Sequence, residues 1–232
     1  MTNILEVRGL YKSFGAIPAV NRLSFAVQPG KIVGLLGPNG CGKSTTMKIA
    51  AGLLRGYRGE VLIDGMPVGP QTKAVVSYLP EKSYLNEWMT PAYVVDLFQD
   101  FYRDFDKNKA LELLNRFELD KKAKLKTMSK GMQEKVQLIL VMSRNAKLYM
   151  LDEPLSGIDP AARDVMLDLI LNNYAEGSSI LMSTHLIHDV ERIFDSVIIL
   201  KHGSLLISDT VDNIREREGK SVEDLFREVF KC

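Results

Sequence analysis

A glycine-rich run, followed by a lysine and two hydroxyl residues, has the composition and spacing of a phosphate-binding loop. It consists of Gly37, Pro38, Asn39, Gly40, Cys41, Gly42, Lys43, Ser44 and Thr45. The run fits the pattern G-x-x-x-x-G-K-[ST], follows a segment typical of a buried strand, and opens a segment typical of a helix. Glycines let consecutive backbone N–H groups converge on phosphate oxygens, and a helix N-terminus adds positive potential. We therefore predict a nucleoside phosphate site here.

Four side chains of this loop carry individual predictions. We expect Lys43 to reach the β- and γ-phosphates and the Ser44 hydroxyl to ligate Mg²⁺. Thr45 is expected to help hold the α-phosphate. Cys41 leaves two interpretations open: its thiol has a lowered pKa among the N–H donors and reacts with alkylating agents, or it is a small residue that fills the loop.

Two adjacent carboxylates follow the apolar run 148–151. Asp152 ends a predicted buried strand, a position that suits a ligand of Mg²⁺, direct or through water. Glu153 points in a different direction and suits the general base that polarises an attacking water. Taken alone, such a pair often only solvates a loop. The assignment of both roles therefore depends on the phosphate-binding loop beside it.

The composition is that of an ordinary globular protein without a strong overall charge. Of 232 residues, 46% are apolar and 25% are charged, and the formal net charge is +1, which does not support a bulk field for nucleic acid. Cys41 and Cys232 lie far apart in sequence, which predicts free thiols in a reducing, cytoplasmic setting. We expect no signal peptide and no membrane span, because no run approaches roughly 20 apolar residues. Any passage through a membrane would belong to another chain.

The elements that must position these residues begin with short β-rich runs. Segments 4–8 and 23–27 alternate in polarity or carry polar residues, which predicts an antiparallel sheet with one wet face. Segment 31–36 is strongly apolar and predicts a parallel strand covered on both faces. Further elements are predicted as a helix over 43–54 and strands over 60–63 and 74–79.

The middle of the chain changes to a helical pattern. Thr90 is a predicted N-cap with Pro91 at the first helical position, and the helical pattern continues to residue 145 apart from a loop at 121–127. Strands and helices alternate again from Leu148, which predicts a largely parallel sheet. The later strands are predicted at 148–152, 179–184, 197–201 and 205–208, with helices from Pro160 and near Ile187. Ser221 and Asp224 resemble a capping box for the last helix.

Five motifs follow one another in a fixed order. They are the phosphate-binding loop from Gly37, the signature SKGMQ at 129–133, DEP at 152–154, LSGID at 155–159 and STH at 183–185. This ordered set resembles the ATP-binding subunits of ABC transporters over essentially the whole chain. The resemblance implies an α/β fold with a P-loop NTPase core, a mainly parallel sheet, an N-terminal antiparallel β subdomain and an inserted helical subdomain. It also implies a single ABC ATPase domain over 1–232, with the helical subdomain at about 82–144.

The resemblance further implies a mechanism that uses two subunits. In this family two subunits close head to tail, and each ATP lies between one phosphate-binding loop and the partner's signature, here Ser129 and Gly131. Ser129 also reads as the N-cap of a long helix, whose N-terminus would stabilise a γ-phosphate. His185 would contact the γ-phosphate and the attacking water, and Asp159 would tie the two sites together.

One aromatic residue and two histidines are also compared with the family pattern. Phe14 matches the adenine-stacking aromatic residue, although a strand-end core aromatic remains the alternative because Tyr11 is also near. His188 and His202 match no motif and are predicted to be surface residues.

The chain departs from the family pattern at two places. Where the signature commonly reads Leu-Ser-Gly-Gly-Gln, this chain has Met128, Ser129, Lys130, Gly131 and Met132. Glu81 replaces the usual glutamine, and a glutamate is still able to ligate magnesium. The combination of YLPE at 78–81 with SKGM at 129–132 resembles the exporter branch associated with drugs, antibiotics and peptides.

The resemblance predicts ATP hydrolysis with Mg²⁺ that drives export through a separate permease subunit. We expect a second ATPase subunit, as a homodimer or a paralogous heterodimer, a position on the inner face of the cell membrane, and no nucleic acid. Tyr84, Trp88 and Met89 belong either to the permease-docking surface or to the core of the helical subdomain.

The alternative function is that of a non-transport ABC-type ATPase, in DNA repair, chromosome organisation or translation. The chromosomal class carries long coiled-coil insertions before the signature, whereas this chain has only about eighty residues there without sustained heptads. The translation class normally carries two such domains, and this chain has one phosphate-binding loop and one signature. Both observations favour transport.

Overall fold

The computed structural model describes residues 2–230, which form ten strands, nine α-helices and two 3-10 turns. The strands are β1 (Leu5–Phe14), β2 (Ile17–Val27), β3 (Ile32–Leu36), β4 (Arg58–Ile63), β5 (Met66–Pro67), β6 (Val76–Leu79), β7 (Leu148–Asp152), β8 (Ser179–Thr184), β9 (Ser196–Lys201) and β10 (Ser204–Thr210). The helices are α1 (Lys43–Ala50), α2 (Pro70–Lys73), α3 (Pro91–Phe101), α4 (Lys107–Arg116), α5 (Lys130–Met142), α6 (Pro160–Leu171), α7 (Ile187–Val190), α8 (Val211–Glu218) and α9 (Val222–Phe230). Cys232, predicted as a free thiol, lies outside the described residues.

Two sheets organise the fold, as the sequence predicts. The first has the strand order β2-β1-β4-β5 and is antiparallel throughout. The second has the order β10-β9-β3-β8-β7-β6, and all its neighbours pair in parallel except β9 and β10. Strands β7 and β8 are buried at every position, as expected for parallel strands covered on both faces. The mixed α/β fold class is therefore confirmed.

The parallel register brings functional positions to one edge of the second sheet. Asp152 at the end of β7 pairs with Ser183 on β8. Leu36, which precedes the glycine-rich loop, pairs with Thr184 on the other side of β8. Because the carboxyl ends of parallel strands meet at the same edge, the loop, the paired carboxylates and the STH segment converge there.

Two helices in the middle of the chain, α3 and α5, start at the predicted N-cap residues. The Thr90 side chain accepts a hydrogen bond from Tyr93 N at 3.2 Å, and Pro91 occupies the first helical position of α3. The Ser129 side chain accepts one from Met132 N at 3.3 Å at the start of α5. These side chains satisfy N–H groups that a helix start leaves without a partner.

Between α3 and α4 the helical pattern breaks, which the sequence analysis does not predict. Tyr102 is extended there, with a φ of −120° and a ψ of 112°. Asp104 pairs with Arg144 at 3.0 Å, and Asp106 N donates to Ser143 O at 2.7 Å. These long-range partners hold the segment in an extended form, so a local helical pattern does not decide its structure.

Several boundaries also differ from the prediction. Helix α1 ends at Ala50 instead of residue 54, because Gly52 takes a left-handed φ of 69°. The predicted helix near Ile187 is the single turn α7, followed by a 3-10 turn. Helix α8 is absent from the prediction; it starts at a Thr210 cap and ends at Gly219 in the left-handed region. The Ser221 cap of α9 is confirmed by a 3.0 Å bond from Asp224 N.

Among residues 2–230, no helix combines the length and the apolar character that a membrane crossing requires.

The Arg144 side chain joins the helical middle of the chain to the second sheet. It is buried and forms a two-nitrogen contact with the Asp104 carboxylate, at 3.1 Å from Nε and 3.0 Å from Nη2. It also donates to the carbonyl oxygens of Val76 and Ala74, at 2.5 and 3.1 Å. Its guanidinium lies 4.0 Å from the centre of the Tyr102 ring.

We predict that Arg144→Met lowers the free energy of unfolding by about 3 kcal/mol, because it leaves Asp104 and the strand carbonyls without their partner. Urea unfolding followed by circular dichroism measures the loss. Lys107→Met is the control: it breaks an exposed pair with Asp96 and is expected to cost less than about 1 kcal/mol. A similar loss in both variants would contradict the assigned role of Arg144.

Candidate active site

The glycine-rich loop connects β3 to α1 and packs closely against neighbouring backbone at two of its glycines. A Cβ atom at Gly37, whose φ is 153°, would lie 2.5 Å from Cys41 Sγ and 2.7 Å from Leu200 O. At Gly42, whose φ is 103°, it would lie 2.5 Å from Ala19 O. Glycine is therefore required at both positions, on grounds of space as well as of backbone conformation. The loop leads directly into the N-terminus of α1, whose first N–H groups have no intrahelical acceptor.

Lys43 is buried at the start of α1, with 5% of its surface exposed. Its Nζ donates to Gly37 O at 2.8 Å and to Pro38 O at 3.4 Å, and lies 3.3 Å from Glu153 Oε1. The ammonium group is thus held at the centre of the loop by the oxygens of neighbouring residues. A buried ammonium group requires such partners, because an unpaired buried charge is strongly unfavourable.

Asp152 is fully buried and accepts hydrogen bonds from three hydroxyl groups. Its Oδ1 accepts from Ser44 Oγ at 3.0 Å and from Ser183 Oγ at 2.6 Å. Its Oδ2 accepts from Tyr78 OH at 3.3 Å. Burial, with a further contribution from the Asp152 charge, raises the pKa of Tyr78 and keeps this phenol protonated as a donor.

Tyr78 and Ser183 contact Asp152 although neither is predicted from the sequence as a site residue. Tyr78 lies two residues before Pro80, and Ser183 lies two residues before His185. A signal for Ser183 exists in the strand pattern, because segments 148–152 and 179–184 are both predicted strands of a largely parallel sheet, whose strands end at the same edge. Their register, which places Ser183 opposite Asp152, is not available from the sequence alone.

Glu153 is buried and adopts a left-handed backbone conformation with a φ of 52°. Its Oε2 lies 2.8 Å from His185 Nδ1. Since a carboxylate only accepts, this contact places the proton on Nδ1 and leaves Nε2 of a neutral imidazole as an acceptor. Glu153 Oε1 lies near Lys43 but receives no hydrogen bond from any described residue. This oxygen is buried beside Lys43, and without a hydrogen-bond donor within residues 2–230 it is able to accept a proton or a hydrogen bond.

A cavity of about 370 Å³ brings most of the predicted residues together. It is lined by Asn39, Gly40, Gly42, Lys43, Ser44, Thr45, Glu81, Glu153, Ser156 and His185. Its wall combines loop N–H groups, one ammonium group, hydroxyl groups and carboxylates. This set suits a polyphosphate with a divalent cation, because the cation prefers oxygen ligands and the phosphates prefer N–H donors.

Magnesium fits this set only together with substrate oxygens. The described residues contain no group of three or more His, Cys, Asp or Glu side chains that could hold a metal. Ser44, Asp152 and Glu81 supply oxygen atoms near the loop, and Mg²⁺ commonly takes one or two carboxylates plus phosphate oxygens and water.

Eight predicted residues are absent from the lining of this cavity. Gly37, Pro38, Cys41 and Asp152 lie in the loop or at the end of β7 beside it, and the other four lie elsewhere on the chain. Phe14 ends β1 with 53% of its surface exposed, which excludes the core-aromatic alternative. Ser129 and Gly131 are exposed at the start of α5. Asp159 is exposed as well, and its side chain caps α6 by accepting from Ala161 N at 2.9 Å. These residues face outward from the chain that carries them.

Pro38 and the two histidines outside the site lie on the surface. Pro38 is exposed, and its carbonyl oxygen contacts Lys43. His188 is exposed and pairs with Glu223 at 2.9 Å, and His202 is exposed between β9 and β10. The prediction of two surface histidines is therefore confirmed.

Cys41 is buried under the loop, and this decides between its two interpretations. Only 4% of its surface is exposed, and burial raises the pKa of the thiol above its ordinary value. Lys43 lowers that pKa, but its effect is smaller than that of burial. The interpretation as a reactive thiol with a lowered pKa is wrong, and Cys41 fills the space beside Gly37.

Comparisons with known proteins give a consistent result. A family model described as ABC transporter matches residues 20–156, more than half of the chain. The ABC-type transporter ATP-binding protein EcsA of Bacillus subtilis (strain 168) is 32% identical over 99% of this chain and 97% of its own length. The SkfA peptide export ATP-binding protein SkfE of the same strain is 31% identical over 88% and 87%. A solved structure of an ATP binding subunit of an ABC transporter shares 33% identity, with a TM-score of 0.87 over 98% of this chain and 99% of that chain.

We predict slow alkylation of Cys41 in the folded protein, measured by mass spectrometry after iodoacetamide treatment of a Cys232→Ser variant. At about pH 8 little thiolate is present because the pKa is raised, so labelling is expected to be at least about tenfold slower than in urea. The rate should rise as the pH approaches the raised pKa. Equal rates in the folded and unfolded chains would contradict the assignment.

Proposed function

This chain belongs to the ABC transporter family, as an ATP-binding subunit with ATPase activity, and on that premise we propose a specific working arrangement. It binds MgATP between two head-to-tail subunits and uses hydrolysis to drive export through a separate permease subunit. The observation that carries this proposal is the cavity that joins Lys43, Ser44, Glu153 and His185.

Phosphate binding requires Lys43 to exchange its present partners. An ammonium group has three donors, and in this structure they face Gly37 O, Pro38 O and Glu153 Oε1. Phosphate oxygens at the loop replace some of these acceptors. Loop N–H groups and the N-terminus of α1 favour the same negative charge, and Thr45 is positioned to hold the α-phosphate.

Ser44, Asp152 and Glu81 are the residues that would hold Mg²⁺. When bound, the ion supplies positive charge that stabilises the phosphate oxygens during transfer. The Ser44 hydroxyl donates a hydrogen bond to Asp152, so the lone pairs of its oxygen remain available to the ion. Glu81 is exposed at the mouth of the same cavity.

Glu153 acts as the general base, and His185 orients it. The Nδ1 contact at 2.8 Å holds one carboxylate oxygen, and the other receives no hydrogen bond from the described residues. That second oxygen is able to take the proton of an attacking water. With its proton on Nδ1, His185 would offer Nε2 as an acceptor for a hydrogen bond from the attacking water.

The outward-facing residues support the two-subunit arrangement. Ser129 and Gly131 open the 13-residue helix α5 at the surface, where its N-terminus favours an anion brought by another subunit. Lys130 is exposed beside them and adds positive charge. Asp159 is exposed at the start of α6. Phe14 is exposed as well, as an adenine-stacking residue needs to be.

A permease contact fits the groove between the second sheet and the helical subdomain. A cavity of about 430 Å³ lies there, and Leu53, Tyr84 and Tyr102 are among its lining residues. Tyr84 and Trp88 are exposed by 49% and 56%, whereas Met89 packs against the core. Of the three residues predicted for docking, the two exposed ones suit an apolar segment of the permease.

The domain organisation and the direction of transport complete the proposal. Helices α3, α4 and α5 occur between β6 and β7, which are direct neighbours in the second sheet, so the helical subdomain at about 82–144 is an insertion within a single domain over 1–232. Export is supported by the similarity to a peptide export ATP-binding protein. The subunit then acts at the inner face of the membrane.

We predict that Glu153→Gln lowers ATP hydrolysis by at least about 100-fold, because the amide cannot accept the proton of the attacking water. Phosphate release measures the rate, and size-exclusion chromatography in ATP should detect a trapped dimer. His188→Gln changes an exposed histidine outside the cavity and is the control with normal activity. Equal hydrolysis by Glu153→Gln and the native protein would rule out the assignment.

We predict that two inactive variants restore partial activity when mixed, if the active pair is a homodimer. Lys43→Ala damages the loop and Ser129→Arg damages the signature, so a mixed head-to-tail dimer contains one site built from two intact halves. Hydrolysis of the mixture, against each variant alone, measures this. A mixture of Lys43→Ala with Glu153→Gln contains no intact site and should stay inactive. Failure of the first mixture despite mixed-dimer formation would contradict the head-to-tail arrangement.

A further inference from the structure

The Ser183 hydroxyl lies between the two residues that carry the main roles in the proposed site. It is fully buried on β8. Its Oγ donates to Asp152 Oδ1 at 2.6 Å and accepts from Glu153 N at 3.0 Å. These directions are fixed, because a carboxylate only accepts and a backbone N–H only donates.

A single hydroxyl group therefore joins the side chain of Asp152 to the backbone of Glu153. The bond to Asp152 is shorter than the bonds from Ser44 and Tyr78, which measure 3.0 and 3.3 Å. A hydrogen bond to an ionised acceptor is also stronger than one between neutral groups. Ser183 is thus the firmest of the three hydroxyl contacts that orient this carboxylate.

The bond to Glu153 acts on a backbone conformation that needs support. A residue with a side chain rarely adopts a φ of 52°, because its Cβ approaches the carbonyl oxygen. The Glu153 N–H group donates to Ser183 O at 3.1 Å as well as to Oγ. The two acceptors hold the peptide at the turn that directs the Glu153 side chain towards Lys43 and His185.

Ser179 lies on the same strand and provides a matched comparison. It is also buried, and its Oγ donates to Gln28 O at 3.2 Å and accepts from Gly30 N at 2.9 Å. Both serines therefore satisfy one donor and one acceptor in the interior. Only Ser183 makes one of these bonds to a carboxylate of the proposed site.

We propose that Ser183 is a positioning residue that sets the orientation of the Asp152 carboxylate for the metal ion and holds the Glu153 backbone in its left-handed turn. This inference rests on the proposed function. It predicts a loss of metal affinity that does not accompany a loss of nucleotide affinity, because Ser183 lies outside the lining of the phosphate cavity.

The test is a Mn²⁺ titration of the full-length protein with a non-hydrolysable ATP analogue, followed by electron paramagnetic resonance of the free ion. Ser183→Ala is expected to bind Mn²⁺ about tenfold more weakly, the size typical of removing an outer hydrogen bond to a metal ligand. Its affinity for the analogue in EDTA should stay within about twofold of the native value. Ser183→Thr, which keeps the hydroxyl, should restore Mn²⁺ binding, and Ser179→Ala should bind it normally.

Unchanged Mn²⁺ affinity in Ser183→Ala, or an equal loss in Ser179→Ala, would overturn the inference while leaving the proposed function intact. A native protein without nucleotide-dependent Mn²⁺ binding would overturn the proposed function and this inference with it. If Ser183→Ala does not fold, Ser183→Cys fills the site with a slightly larger side chain of the same shape and a weaker donor. It is expected to show the same direction of change, and normal Mn²⁺ binding by this variant would overturn the inference.

Discussion

The buried carboxylate of Asp152 is the constraint on which the arrangement of the site depends. An ionised group without exposed surface requires hydrogen-bond partners, and the chain supplies three hydroxyl groups from α1, β6 and β8. Each donor lies on a different element. The three hydrogen bonds to Asp152 therefore fix the relative positions of the phosphate-binding loop, of β6, which leads to Glu81, and of β8, which leads to His185. The two sheet neighbours of β7 therefore each supply a hydrogen-bond donor to this carboxylate.

A second buried charge performs a comparable task between the sheet and the helices. Arg144 follows α5 and contacts Asp104 as well as the backbone around β6. The helix that starts with the signature is thus connected at its far end to the strand that carries Tyr78. This connection gives the helical middle of the chain a defined attachment to the second sheet, in addition to the apolar contacts between them.

The sequence allows much of this arrangement to be predicted where the determinants are local. The glycine-rich loop, the caps at Thr90 and Ser129 and the apolar strand before Asp152 depend on neighbouring residues, and all are found. Ser183 and Tyr78 depend on register and side-chain reach, which local patterns do not contain. The break after α3 depends on a partner 40 residues away, and the burial of Cys41 depends on packing around the loop. The roles of Ser129, Gly131 and Asp159 concern a second chain and stay predictions.

The contacts of Lys43 bear on how quickly a phosphate ligand would enter and leave the site. Its ammonium group already lies in a dry environment, held by two carbonyl oxygens of its own loop and one carboxylate. In the proposed function, an arriving phosphate would replace one set of oxygen partners with another, so little water would have to be stripped from the cation at that moment. The same partners are available again when the phosphate departs. On that proposal, the oxygens that contact Lys43 would stand in for the ligand between rounds of binding, and neither entry nor release would carry a large dehydration barrier.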